Sequence, residues 1–91
     1  MIRSFHDDET AALFRREFVK KFEPVARVAL RKLVLLNQIR SLQELKGPGF
    51  SLEVLKGDRK GQHAIRVNES WRICFVWTDH DAYRVEITDY H

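Results

Sequence analysis

Residues 52–75 read LEVLKGDRKGQHAIRVNESWRICF, and the predicted architecture of the chain follows from this segment. A charged turn, KGDRKG at residues 56–61, separates two runs of strand character. Beyond Gly61, apolar and polar residues alternate along the chain, which is typical of strands that bury one face. Short polar segments at residues 68–70 and 78–81 divide the alternation, and we therefore predict an antiparallel meander.

The alternation also predicts which side chains share a face of the sheet. The side that faces the helices should carry Trp71, Ile73, Phe75, Trp77, Val85 and Ile87. The opposite side, which we call the open face, should carry Arg66, Arg72, Arg84, Glu86 and, in the same phase, Tyr90. A slip of one residue would exchange the two faces, so the register is well specified.

The residues before the meander predict one short strand and two helices. Alternation over residues 2–5 predicts the strand. Acidic residues at 7–9 can cap a helix over residues 9–21, in which Phe14, Phe18 and Phe22 form an apolar stripe. Pro24 suits the first turn of a second helix that reaches about Ser41. The chain thus predicts a two-layer α+β fold, with an N-terminal strand and two helices packed on the meander.

Length and composition limit the possible classes of protein. Ninety-one residues, of which 44% are apolar, predict one globular domain over residues 1–91. The sequence contains no apolar run long enough to cross a bilayer. Its first residues lack the apolar core of a signal peptide, so we expect none. Its single cysteine, Cys74, excludes an internal disulfide. We expect a cytoplasmic protein with no membrane partner.

The distribution of charge favours a polyanionic partner such as RNA. The net charge is +3, and the basic excess lies in residues 1–46, with ten Lys or Arg against six Asp or Glu. On the second predicted helix, Arg27 and Arg31 form a polar strip that we expect to bind RNA. Many solvated helix faces are equally basic, so charge alone does not assign a function.

The open face brings together groups that could cleave RNA without a metal. Such cleavage uses the ribose 2′-hydroxyl as nucleophile, and it needs a base, cations near the phosphate and an acid for the 5′-oxygen. The candidate proton-transfer groups are Glu53, Asp89, Tyr90 and His91, and the candidate cations are Lys56, Arg59 and Arg72. Arg59, together with Lys60 and Arg66, is also expected to bind RNA. Each residue alone has an ordinary explanation as part of a solvated turn, strand or chain end, and only their shared face favours catalysis.

Other chemistries have little support in the sequence. The four histidines and Cys74 show no pair at the spacing of zinc ligands, and the chain contains no phosphate-binding, dinucleotide-binding or serine-nucleophile motif. Cys74 lies in the middle of an apolar strand and is better explained as a small packed residue than as a nucleophile. We therefore predict no metal and no cofactor.

Three motifs together resemble a known family. The turn LKGDRKG, the strand WRICF and the terminal DYH are similar to those of HigB-type toxins, the plasmid maintenance killer proteins of the RelE/ParE toxin–antitoxin superfamily. The resemblance implies a RelE-like fold and an endoribonuclease that cleaves mRNA in the A site of the 70S ribosome and so inhibits translation. It also implies a HigA-type antitoxin with a helix-turn-helix domain, so that operator DNA is bound only through the antitoxin complex.

The resemblance assigns roles by position. Lys56, Arg72, Asp89, Tyr90 and His91 match functional positions of the family. Arg72 would stabilise the phosphate, whereas the last three residues would orient groups or exchange protons. At the position of Glu53 some relatives carry histidine, and a carboxylate there could act as base.

Two other functions remain open at this point. A toxin of the same fold could poison DNA gyrase, as the ParE branch does, and a cationic sheet could bind RNA or protein without catalysis. The terminal DYH and the pair Lys56 and Arg72 favour the nuclease.

Overall fold

A computed structural model describes residues 1–89 and shows two layers, with helices on one face of a four-stranded antiparallel sheet of order β1-β2-β3-β4. The predicted α+β architecture is therefore confirmed. The elements are α1 (Asp8–Phe14), α2 (Ala26–Gln38), β1 (Glu53–Val54), β2 (His63–Arg66), β3 (Trp71–Thr78) and β4 (Asp81–Asp89), with single 3-10 turns at Lys20–Phe22, Leu42–Leu45 and Gly57–Arg59. No helix within residues 1–89 is long and apolar enough to span a membrane.

Helix α1 begins as predicted but ends seven residues early. The Asp7 carboxylate caps it by accepting from the Thr10 N–H at 2.7 Å. Arg16, with φ of 67°, adopts the left-handed conformation that ends the helix. Phe18 is 74% exposed, so the prediction that it extends the apolar stripe was wrong. The break lets Phe22 enter the core through a 3-10 turn and pack edge-on against Trp71, with ring centroids 5.8 Å apart.

Helix α2 is shorter than predicted at both ends. Pro24 and Val25 precede its first residue, Ala26, and the extended backbone of Ile39 ends it. Ala29, Leu33 and Leu36 are fully buried against the sheet and α1, whereas Leu35 is 36% exposed. Arg27 and Arg31 are exposed, as the sequence predicted.

The predicted meander and its turns are confirmed. Strand β3 pairs with β2 through Ile65 and Ile73, and with β4 through Ile73 and Ile87. Asp79 and His80, with φ of 51° and 70°, form the two-residue turn between β3 and β4. In the turn between β2 and β3, the Asn68 side chain accepts from the Trp71 N–H at 2.8 Å.

A β-bulge interrupts β4 and corrects the predicted faces. Cys74 pairs with Glu86, but Val76 pairs with Tyr83, so β4 has one extra residue in this interval. Arg84, with φ of 54°, lies in the bulge, and its N–H donates to the Ser4 hydroxyl at 2.8 Å. Tyr83 therefore occupies the open-face position that simple alternation assigned to Arg84, and that assignment was wrong.

The predicted N-terminal strand is reduced to two isolated parallel bridges, which Ile2 and Phe5 make with β4. The two bridges lie on opposite sides of the bulge, since Ile2 pairs with Ala82 and Phe5 pairs with Val85. The bulge thus explains why the pairing is not continuous.

The sheet buries side chains on both of its faces. The main cluster lies between the sheet and the helices and includes Leu33, Phe75 and Val85. A second, smaller cluster lies on the open face and consists of Leu55, Ala64 and Cys74, which are 4%, 1% and 0% exposed. The open face therefore has an apolar centre.

A buried hydroxyl joins α1 to β4, and we predict that Thr10→Val destabilises the protein. Thr10 is fully buried, accepts from the Ile87 N–H at 3.2 Å and donates to Asp7 at 3.0 Å. Valine keeps the shape but leaves the buried N–H without its acceptor, so urea unfolding should show a loss of about 1–3 kcal/mol. The exposed Thr78→Val control should change stability by less than about 0.5 kcal/mol. Equal effects of the two variants would contradict this role of Thr10.

Because Cys74 is buried in the second cluster, we predict that its thiol reacts slowly in the native protein. Burial raises the pKa of its thiol, and the side chain is fully covered. A thiol reagent such as DTNB should therefore modify the native protein at least about 100-fold more slowly than the urea-unfolded chain. Comparable rates in the two states would show that Leu55 does not cover the thiol.

Candidate functional site

One row of cross-strand neighbours spans the open face. Successive pairing places Glu53 beside Ala64, Ala64 beside Cys74, and Cys74 beside Glu86. Two small side chains therefore separate two carboxylates that lie on different strands. Leu55 covers the small side chains, so the carboxylates stand at the rim of a buried apolar patch.

Arg72 lies in the neighbouring row and is held by the turn between β2 and β3. Its pairing partners across the sheet are Arg66 and Thr88. Its Nη1 donates to the carbonyl oxygens of Glu69 and Trp71 at 3.2 and 3.1 Å, and also to that of Asn68. The side chain is 14% exposed, and its Nε lies 3.9 Å from Glu53 Oε1. These contacts fix the guanidinium beside a more exposed carboxylate.

The KGDRKG turn lies over the edge of the apolar patch. Gly57 and Gly61 adopt the left-handed φ values of 65° and 93° that the turn requires. Lys56 and Lys60 are exposed, whereas Arg59 points back to the sheet and places Nη1 2.9 Å from Glu86 Oε1. The turn therefore presents its two lysines and uses its arginine in a contact with the sheet.

Four charged groups surround the Cys74 thiol. The positive charges of Arg59 and Arg72 lower the pKa of the thiol, whereas the negative charges of Glu86 and Glu53 raise it. Desolvation has the largest effect and keeps the thiol protonated. A protonated, covered thiol is a poor nucleophile, which agrees with the packing role expected for Cys74.

The structure brings together most of the predicted site residues. Glu53, Lys56, Arg59, Lys60 and Arg72 surround the apolar patch. Arg66 is the pairing partner of Arg72, and its Nη2 lies 4.0 Å from Glu69.

Of the three predicted residues at the end of the chain, the structure describes Asp89 and corrects its expected placement on the open face. Asp89 pairs with Trp71, so strand alternation puts it on the same side of the sheet as Ile87 rather than Glu86. Tyr90 and His91 lie outside the described residues. Arg27 and Arg31 are on α2, across the sheet from the open face.

Strand alternation predicted Glu86 on the open face, but no motif assigned it a role. In the structure its second carboxylate oxygen, Oε2, lies 3.9 Å from His6 Nε2, so Glu86 contacts both the N-terminal segment and Arg59. The Glu86 position could have been singled out because it is an acidic residue within a half-buried alternation. Within residues 1–89, no three His, Cys, Asp or Glu side chains are grouped so that they could hold a metal ion.

Comparisons with known structures identify the fold. The YoeB–YefM complex from Staphylococcus aureus contains a chain that matches this one with a TM-score of 0.63 and 20% sequence identity, covering 100% of this chain and 98% of that one. A second, heterotetrameric structure of YoeB–YefM toxin–antitoxin from the same organism gives a TM-score of 0.62 at 18% identity, with the same coverage of both chains. At this identity the likeness concerns the fold alone.

Comparisons with known sequences identify the family. Endoribonuclease HigB of Proteus vulgaris is 33% identical over 93 positions and covers 100% of both chains. Toxin HigB-1 of Vibrio cholerae serotype O1 is 40% identical over 50 positions, which cover 54% of this chain and 53% of that protein. The model of the HigB-like toxin family, RelE-like toxins of the type II toxin–antitoxin system HigB, matches residues 2–91. The chain therefore belongs to the HigB-like toxins of type II toxin–antitoxin systems.

Proposed function

We propose that this toxin is an endoribonuclease that cleaves mRNA in the A site of the 70S ribosome and thereby stops translation. The observation that carries the proposal is the placement of Arg72, whose guanidinium is held by turn carbonyls beside Glu53 on the face that also presents Lys56 and Lys60. The relative named Endoribonuclease HigB, which matches over its full length, supports the same activity. Residues 1–91 would act as one domain, without a cofactor, in the cytoplasm where ribosomes translate.

In this proposal, Arg72 and Lys56 stabilise the phosphate as negative charge develops on it. A guanidinium fixed before the reaction needs little reorganisation, and removing such a group typically costs about 10²–10³-fold in rate. Lys60 and Arg66 contact the RNA backbone on either side. Arg59, which the sequence assigns to RNA binding, forms an ion pair with Glu86.

Proton transfer is assigned to Glu53, which lies beside Arg72, and to His91, whose role rests on the family resemblance. The Glu53 carboxylate takes the proton of the ribose 2′-hydroxyl, and the 2′-oxygen then bonds to phosphorus. The bond from phosphorus to the 5′-oxygen breaks, and His91 supplies the proton that this oxygen needs. The products are a 2′,3′-cyclic phosphate and a 5′-hydroxyl end. Tyr90 orients the reacting groups, whereas Asp89, on the other side of the sheet, takes no part in this proposal.

The proposed partners follow from the family and from the basic surface of α2. Arg27 and Arg31 would hold ribosomal RNA, and a HigA-type helix-turn-helix antitoxin would neutralise the toxin and link it to operator DNA. The YoeB chains that share this fold were solved in complexes with YefM, which supports a protein antitoxin as partner.

The nuclease is tested on purified ribosomes that carry a defined mRNA and an empty A site. We expect wild-type protein to produce new mRNA ends within the A-site codon. Arg72→Ala and Glu53→Gln should each slow cleavage by about 10²-fold or more. Deletion of His91 should slow cleavage to a similar extent. Arg40→Ala, an exposed arginine in the helix layer, serves as the control and should cleave normally. A folded wild type that leaves this mRNA intact would overturn the proposal.

The anchoring role of α2 is tested by charge reversal. Arg27→Glu with Arg31→Glu should weaken ribosome binding at least about tenfold, because two phosphate contacts become repulsive. The rate of cleavage at saturating toxin should change much less. The control Arg40→Glu with Lys46→Glu makes the same change of charge at two other exposed residues. Sedimentation with ribosomes measures both affinities, and equal losses would indicate only a nonspecific effect of charge.

A further inference from the structure

The KGDRKG turn is attached to the sheet at two points. Leu55, which directly precedes it, is 4% exposed and packs on Ala64 and Cys74. Four residues later, Arg59 reaches back over the same face, where its Nη1 lies 2.9 Å from Glu86 Oε1. One attachment is apolar and the other is ionic.

The ionic attachment is well shielded from solvent. The side chains of Arg59 and Glu86 are only 30% and 17% exposed, and Nη1 also donates to Gln62 Oε1 at 3.2 Å. The two residues are 27 positions apart in sequence, on different elements. A hydrogen-bonded ion pair with this little exposure is screened less than one on an open surface, so it can restrain a turn.

The backbone of the turn transmits this restraint to both lysines. The Arg59 N–H donates to the Lys56 carbonyl at 3.3 Å, and the Lys60 N–H donates to the Gly57 carbonyl at 3.1 Å. These bonds close a single 3-10 turn over Gly57–Arg59. When the side chain of Arg59 is fixed on the sheet, Lys56 and Lys60 on either side are fixed with it.

We propose that Glu86 and Arg59 are positioning residues: together they clamp the KGDRKG turn to β4, so that Lys56 and Lys60 are held at the RNA-binding face. Arg59 acts through the clamp and not by binding phosphate. The part of this inference that concerns cleavage rests on the nuclease function proposed above, whereas the part that concerns the turn does not.

A direct role of Arg59 in phosphate binding predicts the opposite effect of Glu86→Gln on the rate of cleavage. If Arg59 binds phosphate and Glu86 merely competes for it, Glu86→Gln frees a cation and removes a negative charge, so cleavage should be unchanged or faster. If the pair is a clamp, Glu86→Gln loosens the turn and cleavage should be slower. Asp58→Asn is a matched control, because it makes the same carboxylate-to-amide change at an exposed position of the same turn.

The clamp is tested first without any nuclease assay, through the single thiol beneath the turn. Under native conditions, Arg59→Gln and Glu86→Gln should each raise the rate at which DTNB modifies Cys74 by about tenfold. Asp58→Asn should leave that rate at the wild-type value, and Glu86→Asp, with a shorter side chain, should give an intermediate rate. Urea unfolding of each variant identifies any increase that comes from global instability. Unchanged protection of Cys74 in folded Arg59→Gln and Glu86→Gln would overturn the clamp.

Cleavage on ribosomes then tests the positioning role. Both single variants should lower kcat by about tenfold with little change in KM, and the double variant should be no slower than either one. The exchanged pair, Arg59→Glu with Glu86→Arg, should recover a large part of the lost rate. Loss of activity in Arg59→Gln but not in Glu86→Gln would overturn the inference. It would also be overturned if the exchanged pair restored the slow reaction of Cys74 with DTNB but did not recover the rate of cleavage. If wild-type toxin cuts no mRNA, the proposed nuclease fails, but the thiol rates still decide whether the clamp exists.

Discussion

Strand β3 buries side chains on both of its faces, and the arrangement of the charged groups depends on this constraint. Ile73 and Phe75 are fully buried towards the helices, and Cys74 is fully buried on the other side. Helices α1 and α2 pack on the first side, and on the second side Leu55 packs on both Ala64 and Cys74. Because Leu55 directly precedes the KGDRKG turn, its burial brings the turn down onto the sheet. The location of the turn thus follows from the need to keep a small apolar patch out of water.

The charges around the patch are paired, which has consequences for binding. Arg59 pairs with Glu86, and Arg72 lies close to Glu53. A charge at the edge of an apolar cluster loses part of its hydration, and an opposite charge nearby compensates for the loss. These four groups therefore add little net attraction for RNA, whereas they can be held in fixed positions. The affinity for RNA must then come from other cations, whereas the four paired groups provide charges in a fixed orientation.

The sequence predicted the parts of the fold that depend on local patterns. Period-two alternation gave the meander and its register, because one slip would expose Ile73 and bury Arg72. Alternation did not predict the bulge at Arg84, since the bulge is stabilised by the Ser4 hydroxyl, which is 80 residues away in sequence. The apolar stripe predicted too long a helix α1, because Phe18 has the spacing of a buried residue but is exposed in the structure. For the site, the motif residues were identifiable, but the contact between Arg59 and Glu86 was not, since neither residue's local sequence specifies its partner.

The basic residues on opposite sides of the protein support a ribosomal setting for the proposed reaction. Lys56 and Lys60 belong to the open face, while Arg27 and Arg31 lie on the helix layer. A single flexible RNA strand that crosses the open face does not also contact α2. A partner that contacts both must surround a body with extents of 30 × 26 × 26 Å, as a cleft lined by RNA would. Such a cleft would also align the 2′-oxygen of the message with the scissile phosphate, and this alignment can account for a large share of the rate. In the proposed reaction, a small protein with few fixed charges could then catalyse cleavage, because the enclosing site would orient the substrate.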